Sequence, residues 1–109
     1  MVKPVTLIDG VQLTNAFATY YTGPTGATLT KILKITVCNT DAGGSHSFSI
    51  SIGVAGAGKT LVISRSLAAN ETQDVPELVN QFIPAGAVLQ MSADTGAEIN
   101  VRASGVQLT

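Results

Sequence analysis

The chain has 109 residues, is 45% hydrophobic and 12% charged, and carries a formal net charge of −1. That length holds one domain with one core, and the charged fraction is about half the usual 25%. Its six cations (Lys3, Lys31, Lys34, Lys59, Arg65, Arg102) are scattered, and the aromatics are two Tyr and three Phe with no Trp. There is thus no basic stripe for a phosphate backbone and no base-stacking platform, so nucleic acid is not an expected partner.

In chain order, "MVKPVTLIDG" has no long apolar run of the signal-peptide kind. No stretch approaches the ~20 apolar residues of a membrane span. The expectation is a chain that folds in a cytoplasm and has no membrane partner. "VTLIDGVQLT" and "ATYYTG" read as two or three short strands broken at Asp9-Gly10 and Asn15. Pro4 blocks regular helix, so residues 1–9 are expected as an extended arm, with Val2, Val5 and Leu7 burying on a neighbour. In Tyr20-Tyr21 one ring should face the core and the other outward, where Tyr suits an interface.

"TLTKILKITVCN" (28–39) is a longer strand, with Leu29, Leu33, Ile35 and Val37 on one face and Lys34 and Thr36 on the other. Cys38 has no second cysteine to pair with, and reads as a small core or interface residue. In "SHSFSISIGV", Phe48, Ile50, Ile52 and Val54 alternate with serines, one face dry and one wet, as in an antiparallel strand. "TLVISRSLA" (60–68) and "AVLQMSA" (87–93) are further strands. "DVPELVNQFI" (74–83) reads as one short helical turn near 75–83, capped by Asp74, with Leu78, Val79 and Phe82 on one face. In "EINVRASGVQL" the apolar parity flips at Gly105, which predicts a β-bulge. Turns fall at 22–27, 39–45, 53–59 and 83–86. The whole of 1–109 reads as one antiparallel β-sandwich or jelly-roll-like barrel.

One motif competes with this reading. "GVAGAGKT", with Gly53, Gly58, Lys59 and Thr60 at its fixed positions, fits the phosphate-loop pattern. A working phosphate loop needs a buried parallel strand before it and a helix after it. Here both flanks alternate as strands, so the glycines serve a hairpin turn and no nucleotide is expected. Elsewhere the chemistry is sparse. His46 is the sole histidine, set between Ser45 and Ser47, and is expected to point outward. Asp41 is near, but no second His or Cys lies at metal-ligand spacing. No catalytic residue, metal or cofactor is expected.

The segments "ATYYTGPTGATLTKILKITVCNT", "SISIGVAGAG", "LAANETQDVPELVNQFIPAGAVLQMSAD" and "INVRASGVQL" together resemble small all-β virion structural proteins of tailed bacteriophages and prophages. The carrying features are the "YTGP" turn, a strand ending in Asn39-Thr40, "LAANE" with Asn70 where Gly is usual, the "PEL" segment, "PAGAV" and a last Ser-Gly-Val strand. The resemblance covers nearly the whole chain through turn chemistry. It implies a non-enzymatic β-sandwich in the virion, made in the bacterial host cytoplasm: a capsid decoration (cement) protein, or a neck, tail or fibre-associated accessory. Its partners would be the major capsid protein or other virion proteins, and copies of itself. A carbohydrate-binding module is a further reading, set back by the few aromatics available to stack on sugars.

Overall fold

Period-two alternation governs the whole chain in the computed structural model, which describes residues 2–26, 29–53, 61–96 and 98–109, with 61 and 62 described for backbone only. The strands are β1 (Val2–Gln12), β2 (Ala18–Thr22), β3 (Leu29–Asn39), β4 (His46–Gly53), β5 (Leu61–Leu67), β6 (Thr72–Asp74), β7 (Phe82–Ile83), β8 (Val88–Ala93) and β9 (Ile99–Leu108). One sheet runs β1-β9-β3-β6, with β7 also on β3; the other runs β2-β8-β4-β5. Every pairing is antiparallel. The all-β sandwich expected from the sequence is the observed architecture.

The core lies between the sheets. Phe48, Ile50, Leu89 and Met91 come from the four-stranded sheet and meet Ile32, Ile35, Val37, Ile99, Val101 and Ala103 from the other, each with no more than 2% of its surface exposed. Burying one such aliphatic or aromatic side chain contributes about 1.5–3 kcal/mol. This is what holds the two sheets together.

Four local expectations need correction. β1 does not break at Asp9-Gly10. It runs through with a bulge between Ile8 and Val11, and Gly10 takes φ 62, a left-handed conformation that glycine adopts without a Cβ penalty. Residues 2–9 are therefore not a free arm, because β1 pairs with β9 along its length.

Leu29 and Leu33 do not share a face with Ile35 and Val37. The register against β9 slips between Ile32 and Lys34, so Leu33 is an extra residue and the parity of β3 inverts there. Thr30 and Ile32 face inward before it, Ile35 and Val37 after it, and both leucines are 43% exposed.

The bulge predicted at Gly105 belongs to its neighbours. β9 is regular, and the extra residues are Leu7 on β1 and Leu33 on β3, one on each side. A Cβ on Gly105 would run into the Lys31 carbonyl oxygen. The glycine marks a close approach of two backbones.

The helical turn is a single 3₁₀ turn at Pro76–Leu78, capped by Val75 without a side-chain bond. Asp74 ends β6 instead, and its carboxylate accepts a 2.8 Å hydrogen bond from Thr36 Oγ1. Of the three residues expected on one face, only Leu78 is buried, while Val79 is 39% and Phe82 46% exposed. Two turn expectations hold. Gly86 in 83–86 takes φ 79, and Asn70, standing where glycine is usual, takes φ 58. Asn tolerates that conformation better than most residues.

Candidate functional site: an apolar outer face and a histidine–carboxylate end

The outer face of the five-stranded sheet is not uniformly polar. In antiparallel pairs, residues directly opposite one another point to the same face. Val2, Leu108 and Leu29 form the terminal row across β1, β9 and β3, and Pro4, Val106, Lys31 and Phe82 form the next. Leu33 stands out from its bulge just beyond. Val79 precedes Asn80, whose amide donates to the Ile32 carbonyl at 2.8 Å, so it borders the same strip. Val2 (65%), Phe82, Leu29 and Leu33 are thus exposed together at one end of one face. Among the described residues Lys31, within the strip, has no carboxylate partner.

Further along this face lies a shallow depression of about 240 Å³, lined by Lys34, Thr36, Arg102, Ala103 and Ser104. Its cations are already committed: Lys34 Nζ is 3.7 Å from Asp74, and Arg102 3.3 Å from Asp9. Both pairs are exposed and contribute little to stability. The outer face of the other sheet differs. Ser47 and Ser66 pair there, as do Ser49 with Ser64 and with Ser92, and Ser51 with Gln90. That face is hydroxyl-rich and free of charged side chains at these positions; Ser64 and Ser66 on β5 are exposed, while Ser51 and Gln90 are buried.

At the opposite end of the sandwich, β3 and β8 finish and β4 and β9 begin. His46, the first residue of β4, does not point outward as expected; its side chain is 14% exposed. Nε2 lies 2.8 Å from Asp41 Oδ2 and Nδ1 3.0 Å from Asp94 Oδ1. A ring with a carboxylate on each nitrogen satisfies both only as the imidazolium, with two N–H donors. The bond to Asp41, seconded by that to Asp94, raises the imidazole pKa against the opposing effect of desolvation. A hydrogen bond from the Gly43 amide, then that from His46, holds the Asp41 carboxyl below the usual carboxylate range. Asp41, His46 and Glu98 each bring one donor atom within 4.8 Å of the others. The sequence showed Asp41 beside His46, but Asp94 is 48 residues away and only the sheet crossovers bring it there.

The residues singled out from the sequence are placed as follows. Val2 is exposed on the strip, whereas Leu7 is 5% exposed and belongs to the chain's own core, with Val5 packed against it. Leu7 is therefore not available to a neighbour. Tyr20 and Tyr21 both pack against the core, because a bulge between Thr19 and Tyr21 cancels the alternation that would have turned one outward. Tyr21 also bridges the sheets: its hydroxyl lies 2.9 Å from Thr30 Oγ1 and accepts from Gln107 Nε2 at 3.1 Å. Of the phosphate-loop pattern only Gly53 is described. Gly58, Lys59 and Thr60, with the expected hairpin tip, lie outside the described residues. The flanks are clear: β4 and β5 are antiparallel neighbours, and the segment leaving the motif is a strand. The strand-then-helix frame of a phosphate loop is not present.

No protein-family model matches the chain, and no curated protein matches it. Among solved structures it is similar to a subunit of Bacillus endospore appendages, described as a novel family of disulfide-linked pili. That likeness has a TM-score of 0.57 at 11% identity and covers 99% of this chain and 88% of the other. It is also similar to the capsid chain of the T13 particle of IBDV, with a TM-score of 0.49 at 17% identity over 98% of this chain but 30% of that one. The viral likeness is weaker and nothing further rests on it. What the pilus likeness establishes is the fold class, a two-sheet all-β sandwich spanning the chain.

Proposed function

We propose that the chain is a non-enzymatic structural subunit of a many-copy assembly, and within that class a capsid decoration (cement) protein. It binds the outer shell of a tailed-phage or prophage particle through the outer face of its five-stranded sheet. The carrying observation is the strip of exposed Val2, Leu29, Leu33 and Phe82, with half-buried Val106 and Leu108 among them, on one face and the hydroxyl-rich face opposite. A contiguous apolar patch rimmed by polar residues suits a protein partner, and the exposed Ser64 and Ser66 of the opposite face suit water. Lys31 within the strip favours a partner surface that offers a carboxylate. The tailed-phage resemblance of the sequence and the pilus-subunit fold both support a structural role. Disulfide linkage does not carry over from the pili. A chain of subunits joined by disulfides needs two cysteines each, and these residues hold only Cys38.

The second reading, a neck, tail or fibre accessory, rests on the same strip and differs in copy number. Quantitative mass spectrometry of purified particles separates them. A copy number in fixed icosahedral ratio to the shell protein supports decoration. A single ring's worth supports the accessory reading, and absence from particles overturns both.

A further inference from the structure

The end of the sandwich that carries His46 is built differently from a solvated turn cluster. Its donors come from three separate segments: Asp41 from the β3–β4 connection, His46 from the first position of β4, and Glu98 from the position just before β9. Each backbone is pinned. The Asp41 amide donates to Asn39 Oδ1 at 3.0 Å. Thr40 donates through both its amide and its hydroxyl to the Glu98 carbonyl, at 2.8 and 3.0 Å. Asp94, which holds the imidazole from Nδ1, is fixed by its own amide on the Ser47 carbonyl at 3.0 Å.

The set is mixed, one imidazole nitrogen and two carboxylates, with a third carboxylate behind the ring. Three carboxylates around one imidazole leave net negative charge even when the ring is protonated. Glu98 contributes to that charge, yet its side chain has no hydrogen-bond partner among the described residues. A carboxylate gripping the far nitrogen of a histidine is the arrangement that orients an imidazole toward a metal.

We propose that His46 Nε2, Asp41 and Glu98 bind one Zn²⁺ ion, with Asp94 as the positioning residue behind the imidazole. Zinc takes nitrogen and carboxylate ligands at about 2.0–2.2 Å in a tetrahedron. Each of the three residues has a donor atom within 4.8 Å of the others, and the ion would draw these onto itself with a water in the fourth position. The ion replaces the proton on Nε2, and Nδ1 keeps its bond to Asp94. Its effect is to fasten together the two connections that cross between the sheets. This site is remote from the apolar strip and does not depend on the proposed function.

The test is calorimetric titration of the chelator-stripped full chain with ZnCl₂ near neutral pH, beside its melting temperature with and without the ion. One saturable site per chain and a raised melting temperature are expected. Glu98→Gln, which removes no hydrogen bond of the fold, should weaken binding at least tenfold. His46→Gln should abolish it, and Asp94→Asn should weaken it about ten- to a hundredfold while keeping the stoichiometry. No saturable binding to the folded chain would overturn the proposal. So would binding that Glu98→Gln leaves unchanged, or a site that takes Ca²⁺ and not Zn²⁺. If His46→Gln does not fold, Glu98→Gln decides the matter.

Discussion

The side-chain amide of Asn39 lies 3.3 Å from the carbonyl oxygen of Leu67, tying the last residue of β3 to the last residue of β5 across the two sheets. The same nitrogen reaches the carbonyls of Gly44 at 2.9 Å and Ala68 at 3.1 Å, and Asn39 is fully buried. Asn39→Ala strips these carbonyls of a donor, and leaving a buried polar group unpaired costs about 1–3 kcal/mol. Urea unfolding should show a loss of about 2–3 kcal/mol. A loss under about 0.5 kcal/mol, the scale of an indifferent surface change, would mean that water replaces the amide.

Gly105 is required by space. Gly105→Ala forces a methyl against the Lys31 carbonyl and to 3.3 Å from Leu7 Cδ1. Overpacking of this kind costs about 1–3 kcal/mol, so chemical denaturation should show a loss in that range. Gly96→Ala is the control: nothing lies within 4 Å of its Cβ position, and the change should stay within about 0.5 kcal/mol.

The 3₁₀ turn separates one anchor from two exposed neighbours. Leu78→Ala empties a fully buried site and should destabilise by about 2–5 kcal/mol. Phe82→Ser, at a residue 46% exposed, should change stability by less than about 0.5 kcal/mol. Under the proposed decoration role, particles carrying Phe82→Ser should retain less of the chain after washing than wild-type particles.

The histidine clamp gives stability a defined pH dependence in metal-free buffer. The folded pKa of His46 is raised from its ordinary 6.5. Its contribution is therefore complete below that value and is lost as pH rises through the raised one. Asp41 and Glu71 are lowered from 3.8 and 4.5, Glu71 chiefly by the hydrogen bond from the Ala68 amide. Their contributions are complete above those values and are lost as pH falls through the lowered ones. As far as these groups decide it, the melting temperature should be highest between pH 4.5 and 6.5. His46→Gln should flatten the alkaline side of that profile and weaken the acid side without removing it, because Asp41 keeps the hydrogen bond from the Gly43 amide and Glu71 that from the Ala68 amide.

Much of this fold is readable in the sequence, because alternation is a local signal. Phe48, Ile50 and Ile52, or Leu89 and Met91, declare their face without knowledge of a partner strand. What is not readable are the positions where a bulge shifts parity. Nothing in "TLTKILKITVCN" says that Leu33 is surplus to the ladder, so Leu29 and Leu33 read as core and are found on the surface. The same shift at Tyr20 keeps both tyrosines against the core. These slips depend on register with β9 and β8, which is tertiary information. The histidine cluster is hidden in the same way, since Asp94 and Glu98 reach His46 only through the sheet crossovers. The apolar strip, the feature that carries the functional reading, is legible only once the bulge at Leu33 is known.

The most direct measurement is cryo-electron microscopy of purified particles with density assigned to this chain. Density repeated over the icosahedral shell, with Leu29, Leu33 and Phe82 buried against the shell and the serine face toward solvent, is the predicted result. A serine face buried against the shell with the apolar strip left bare, or no density on the particle, would contradict it.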